Sequence, residues 1–151
     1  MINDPAPPTG SILGIDWSAS GVVRVGSRIL GVIRFNYRKD LDRIPWNGAE
    51  QRILREIAFG VDAATMVVNW RVVLASATVG NSNAVPPYRF MPTPVPLGPA
   101  VAYASSATPV LKLLSAADGS TAATLALDAP CLASPIAANA RVTALTRAGT
   151  L

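Results

Sequence analysis

The carboxylates that lie closest together in this chain are Asp40 and Asp42, with Glu50 a short distance after them. Two neighbouring carboxylates can share a proton in acid–base catalysis or bind Mg²⁺. Here the basic side chains of Arg38 and Arg43 lie on either side and would neutralise the cluster, which lowers its affinity for a metal. We therefore interpret this segment as a solvated charged turn and predict no metal site in it.

Other residue types that carry chemistry are scarce. The chain has no histidine, which excludes Ser-His-Asp and Cys-His arrangements, and a Ser-Lys pair would have only Lys39 and Lys112 to use. The single cysteine, Cys131, excludes an intrachain disulfide framework, and we expect it to be a small buried residue. No glycine pattern matches a phosphate-binding or dinucleotide-binding loop. The sequence thus predicts no enzyme, no catalytic residue and no cofactor.

Basic side chains are concentrated between residues 24 and 55, which hold eight of the thirteen lysines and arginines. Cationic side chains beside aromatic rings can bind phosphates while the rings stack on bases. The candidates for contact with nucleic acid, or with an acidic partner surface instead, are Arg34, Arg38, Lys39 and Arg43. Phe35 and Tyr37 share a strand face with aliphatic residues and are better explained as core. Nucleic-acid binding is therefore the less favoured alternative.

The C-terminal part of the chain carries little charge. Residues 90–151 hold five charged side chains, and the rest is mostly Ala, Pro, Thr, Ser and aliphatic residues. A free soluble domain usually has roughly a quarter of its residues charged. An apolar surface of this kind is more easily explained if neighbouring subunits cover it. We therefore expect a homo-oligomer.

Most of the chain has the composition and alternation of β-strands. Strands are predicted at residues 11–17, 21–26, 28–37, 65–79, 110–115, 121–128 and 140–147. In the third of these, we expect the face that carries Ile29, Ile33 and Phe35 to point inward. The sequence Ala117-Asp118-Gly119 predicts a hairpin turn in which glycine supplies a positive φ.

One helix is predicted at about residues 48–59. Asn47 can cap it, and Glu50 lies three residues later, where a capping box has its acidic residue. An apolar stripe on one face supports the helix; it consists of Ile53, Leu54, Ile57 and Ala58.

Two segments are rich in proline. Residues 1–10 predict an extended arm, and residues 81–100 contain six prolines, which we interpret as spaced too closely for sheet or helix. The second segment is typical of a stiff connector, which serves either as a rigid linker or as a docking arm on a partner. The interface candidates in it are Tyr88, Phe90, Met91, Pro92, Pro94 and Pro96.

These elements together predict a mainly β fold, with a sandwich or barrel-like body and one α-helix. The expected organisation is an arm at 1–10, a β-rich body at 11–80, the connector at 81–100 and a small C-terminal β unit at 101–151. The sequence has neither a secretory signal pattern at its start nor an apolar stretch long enough to span a membrane as a helix. We therefore expect synthesis in the cytoplasm.

The C-terminal unit carries a family resemblance. A turn, the strand Thr124-Leu125-Ala126-Leu127, a Pro/Ala-rich turn and a final strand at residues 140–147 resemble small β modules of bacteriophage virion proteins. Tail and neck components are the most similar, and the composition also resembles capsid decoration proteins. Asn139-Ala140 stands where such modules often carry a glycine.

The resemblance covers residues 108–151. It implies a non-enzymatic structural subunit of a phage-like virion, made in the host cytoplasm, with copies of itself and other virion proteins as partners. Capsid decoration is the alternative placement, and a nucleic-acid-binding module is the alternative from another class.

Overall fold

The computed structural model describes residues 1–10, 12–40, 50–79 and 91–149. Regular structure in these residues consists of β-strands, so the prediction of a mainly β fold is confirmed. The strands are β1 (Ile12–Ala19), β2 (Val23–Val25), β3 (Arg28–Asp40), β4 (Glu50–Asp62), β5 (Val68–Val79), β6 (Val95–Leu97), β7 (Ala100–Ala104), β8 (Val110–Ser115), β9 (Thr121–Ala126), β10 (Ile136–Ala138) and β11 (Arg141–Thr143). Within the described residues, no helix is long and apolar enough to cross a membrane.

The first five strands form one antiparallel sheet. Its order is β1-β3-β4-β5, and β2 also pairs with β3. The longest ladder joins β3 to β4, from Arg28 opposite Asp62 to Asp40 opposite Glu50. These two strands are hydrogen-bonded on both edges, so they form the rigid centre of the sheet.

A second antiparallel sheet has the order β6-β7-β8-β9, and β10 and β11 form a separate hairpin. The turn between β8 and β9 contains Gly119 at φ 74°, as the sequence predicts. In the last hairpin, Asn139 and Ala140 have φ values of 50° and 59°. A two-residue hairpin turn of type I′ has positive φ at both positions, which explains why glycine suits this place.

The two sheets share a hydrophobic core. It consists of Leu30, Val32, Ala58, Trp70, Leu74, Met91, Val101, Tyr103, Leu114 and Ala116. A second cluster, on the other face of the second sheet, packs against the C-terminal segment and includes Ala102, Ala104, Leu111 and Cys131. The second sheet is therefore covered on both faces, which explains why four of the five residues of β7 are buried.

The predicted helix at 48–59 is wrong, because residues 50–62 form the central strand β4. A strand buried on both faces carries apolar residues at consecutive positions, and these can imitate a helical stripe. The pairing with β5 also shifts register twice, between Glu56 and Ile57 and between Gly60 and Val61, which interrupts the alternation. Long-range pairing with β3 and β5 therefore overrides the local helix signals.

The face of β3 that enters the core between the sheets is not the predicted one, although Tyr37 of the predicted face is buried against Asp4. Leu30 and Val32, on the opposite face, are 0% and 3% exposed and lie in the core between the sheets. Of the face expected to be inward, Phe35 is only half-buried. Both faces carry aliphatic residues, and Arg34 gives the buried face the mixed composition that is usual for an exposed one.

The proline-rich segments lie against the rest of the chain where they are described. Residues 1–10 contain no strand, yet Asp4 in them is buried, so a free arm is not confirmed. Val95–Leu97, within the predicted connector, forms the short strand β6, contrary to the expectation that prolines exclude sheet there. Pro96 is tolerated because β6 is an edge strand, where a missing N–H breaks no central ladder.

Candidate assembly surfaces

A buried ion pair holds the side chain of Arg34 inside the molecule. Register places Arg34 of β3 directly opposite Glu56 of β4, and Arg34 Nη2 lies 2.6 Å from Glu56 Oε1. The same nitrogen donates to the hydroxyl of Ser106, which comes from the loop after β7. Arg34 and Glu56 are 4% and 1% exposed. Arg34 therefore pairs within its own chain, not with nucleic acid or a neighbouring subunit.

Two other arginines of the basic segment also bind acids of the same chain. Arg28 Nη1 lies 2.6 Å from Asp62 Oδ2, and Arg55 Nε lies 2.9 Å from Asp4 Oδ2. Hydrogen bonds from the backbone and hydroxyl of Thr65, and from the backbone of Ala64, lower the pKa of Asp62, and Arg28 lowers it further. Residues 24–55 are thus not one free cationic surface.

The remaining candidates for nucleic-acid contact lie at the end of β3. Arg38 and Lys39 are half-buried there. The backbone of β1 comes close, because a Cβ added at Gly14 would lie 2.4 Å from a guanidinium nitrogen of Arg38. Arg43 lies outside the described residues.

The N-terminal segment is attached to the first sheet through Asp4. The hydroxyl of Tyr37 donates to Asp4 Oδ2 at 2.9 Å, and Asp4 Oδ1 accepts from the backbone N–H of Ala6 at 2.9 Å. Burial raises the pKa of Tyr37, and the hydrogen bond to Asp4 raises it further. The tyrosine therefore stays protonated and keeps its donor for the carboxylate.

We expect Tyr37→Phe to lower the free energy of unfolding by about 1.5–3 kcal/mol, because it leaves a charged acceptor with one donor fewer. Tyr103→Phe is the matched control. The Tyr103 side chain is also buried, but its hydroxyl has no hydrogen-bond partner among the described residues. Its removal should cost little or nothing. Denaturant melts of both variants test this, and equal losses would contradict the role given to the Asp4 bond.

The predicted interface residues are divided between the interior and the surface. Met91, Pro92 and Pro94 are buried within the chain itself, and Met91 belongs to the core between the sheets. Met91 Sδ accepts from the hydroxyl of Ser18 on β1 at 3.3 Å. Pro96 is exposed on β6. The other two candidates, Tyr88 and Phe90, lie outside the described residues.

An exposed apolar ridge, defined by Leu13, Ile15 and Trp17, lies on β1. These side chains are 47%, 53% and 69% exposed. β1 is the edge strand of the first sheet, so one side of its backbone is unpaired within the described residues. Trp17 lies opposite Phe35 in the ladder, and this arrangement extends the apolar surface onto β3.

The second exposed edge is β9, at the border of the second sheet. Five of its six residues are exposed, and its sequence, TAATLA, carries no charge, proline or glycine. Leu125, the fifth of its six residues, is 53% exposed. One feature of β9 does hinder pairing with another chain. A register shift opposite Leu113 and Leu114 twists the strand locally.

An apolar pocket of about 530 Å³ lies beside β9. Its lining comes from the second sheet and the C-terminal segment: Leu97, Leu111, Leu113, Leu125, Ala126, Leu127, Asp128, Val142, Thr143, Ala144 and Thr146. Because β9 itself contributes to the wall, a strand added to this edge would lie next to the pocket.

The single cysteine lies in the interior. Cys131 is 1% exposed, as the sequence predicts. Burial raises the pKa of its thiol, and the charges of Glu56 and Asp128 raise it further, so the thiolate is disfavoured. Across the described ranges, no group of three His, Cys, Asp or Glu side chains lies close enough together to hold a metal ion.

The sequence matches no protein-family model and no curated protein. The features described above therefore rest on geometry. Sequence reasoning did not single out Asp4, Glu56, Trp17 or Leu125 as important residues. For Trp17 and Leu125, the sequence shows only a large apolar residue in a predicted strand. Such a residue looks the same in the sequence whether the strand is central or at an edge.

Proposed function

We propose that this chain is a non-enzymatic structural subunit of a phage-like virion, placed in the tail or neck, that assembles through apolar packing and strand addition between copies. The observation that carries the proposal is the exposed, uncharged edge strand β9. Soluble proteins usually protect such edges with charges, prolines or covering segments, because a free edge can pair with another chain. In an assembly subunit the same edge is a binding surface.

The apolar ridge on β1 supports the same conclusion. A tryptophan that is 69% exposed beside two exposed aliphatic side chains is typical of a protein-binding surface. The ridge lies on the first sheet and β9 on the second. A subunit with two separate surfaces of this kind can contact two neighbours at once, as an assembly larger than a dimer requires.

Capsid decoration remains the alternative placement, since it uses the same kind of contact. Nucleic-acid binding is less favoured, because Arg28, Arg34 and Arg55 are each paired with an acid of the chain. A mobility-shift assay with nucleic acid at two salt concentrations distinguishes nucleic-acid binding from assembly through apolar contacts. Phosphate binding must weaken steeply as salt increases, whereas apolar association should not.

The purified protein should form oligomers at micromolar concentration, as measured by light scattering coupled to size exclusion. Higher salt should leave the oligomers intact, because apolar contacts carry them. A soluble monomer at high concentration would contradict the proposed function.

The placement in a virion has its own test. An antibody against the chain should label the tail or neck of purified particles in electron micrographs. Label spread over the capsid would favour the decoration role, and unlabelled particles would contradict a virion protein.

A further inference from the structure

The hydrogen-bond pattern of β9 shows which of its backbone groups face the free edge. The N–H of Leu127 donates to the C=O of Pro109 at 2.9 Å, and Ala126 lies opposite Val110. In an antiparallel ladder, hydrogen-bonded and non-hydrogen-bonded pairs alternate. Leu125 therefore bonds to β8, while the N–H and C=O groups of Thr124 and Ala126 point away from it, toward the edge.

We propose that β9 pairs antiparallel with β9 of a second copy, in a register centred on Leu125. Thr124 of each copy then lies opposite Ala126 of the other, and these pairs exchange the edge hydrogen bonds. The two copies of the second sheet become one continuous sheet around a two-fold axis. This inference rests on the proposed function, because it names the contact that joins two subunits.

The side chains favour this register. Leu125 of each copy faces Leu125 of the other as a non-hydrogen-bonded pair, in which Cα atoms are closest, at about 4.5 Å. Leu125 points to the same face as Leu111, its partner in the ladder, and both line the apolar pocket. The second leucine therefore lies beside the pocket wall and buries part of the Leu125 surface that water now contacts.

Charge favours β9 over β1 as the strand that pairs with its own copy. β9 has no charged residue, so no repulsion arises in any register. β1 carries Asp16 near its centre. Self-pairing of β1 about its centre would bring two aspartates together, and like charges opposite each other destabilise a sheet.

The test is a cysteine cross-link across the two-fold axis. Leu125→Cys places two thiols on opposed residues whose Cα separation, about 4.5 Å, lies at the short end of the disulfide range. Mild oxidation should give a covalent dimer that reduction removes. The control is Ile136→Cys, at a residue 68% exposed on the C-terminal hairpin, and the native Cys131 is buried. A dimer yield for Leu125→Cys no higher than for the control would overturn the proposed pairing.

A second pair of variants tests the edge hydrogen bonds. Thr124→Pro removes an N–H that points away from β8, so it should reduce the oligomer to smaller species. Thr124→Val keeps the N–H and the branched shape, and should leave the oligomer unchanged. If the wild type is oligomeric but Thr124→Pro is equally so, the β9 contact is wrong while the proposed function stands. A monomeric wild type would contradict both.

Discussion

Replacing Arg34 with methionine should lower the free energy of unfolding by about 3–5 kcal/mol. The substitution keeps an unbranched side chain but removes the charge that faces Glu56. Glu56 is 1% exposed, and its nearest charged partner is the Arg34 guanidinium at 2.6 Å. Without the guanidinium, a carboxylate remains in the interior without a counter-charge. Removing one member of a buried ion pair therefore destabilises the protein by much more than the net stabilisation that the intact pair provides.

Two controls separate this effect from general disruption. Arg28→Met removes one member of the pair with Asp62, in which both side chains are 24% exposed, and it should cost no more than about 1 kcal/mol. The double variant Arg34→Met, Glu56→Leu should recover much of the loss, because no unpaired charge remains. Urea melts of the three variants give the measurement. A loss for Arg34→Met as small as that for Arg28→Met would mean that water reaches the buried pair.

The pair of Arg34 and Glu56 is a contact that the sequence alone could not predict. Alternation placed Arg34 on a mixed aliphatic and charged face, which is the usual composition of an exposed face. Its partner lies 22 positions away on β4, in a segment that was predicted to be a helix. In that helix, Glu56 would face solvent. Without the correct strand register, nothing in the sequence could bring the two charges together.

The hairpin of β8 and β9 shows the opposite case. Both strands start where the sequence predicts, and Gly119 has the expected positive φ. Here the turn residues and the alternation are local, and the partner strand is the next one in the chain. The sequence did not indicate that β9 would remain at the edge. Edge position depends on which strands are added next, and that is set by the whole chain.

Trp70→Ala should lower the free energy of unfolding by about 3–5 kcal/mol, because it removes a large side chain that fills the space between the two sheets. Trp70 is 8% exposed and lies opposite Gly60 in the ladder of β4 and β5. A Cβ added at Gly60 would lie 2.4 Å from the indole ring, and one added at Gly119 would lie 2.6 Å from it. The ring therefore occupies a slot between Gly60 of β4 and Gly119 of the turn that joins β8 to β9.

The indole also connects the sheets by a hydrogen bond. Its N–H donates to the C=O of Ala116, after β8, at 3.2 Å. Trp70→Phe keeps most of the apolar ring and loses this donor, so it should cost less than the alanine variant. The loss of stability in Trp70→Phe then reports mainly the hydrogen bond, whose net value is about 1 kcal/mol. The further loss in Trp70→Ala reports the packing of the ring.

Trp17→Ala is the matched control for Trp70→Ala, because it deletes the same side chain at a position that is 69% exposed. In the dissociated subunit it should change the stability by no more than about 0.5 kcal/mol. If the apolar ridge on β1 binds a neighbour, the same variant should weaken assembly in light scattering. The stability of the subunit is measured without the effect on assembly if denaturant melts are run at a protein concentration low enough to give a single dissociated species. Equal losses for the two tryptophan variants in those melts would contradict the placement of Trp70 between the sheets.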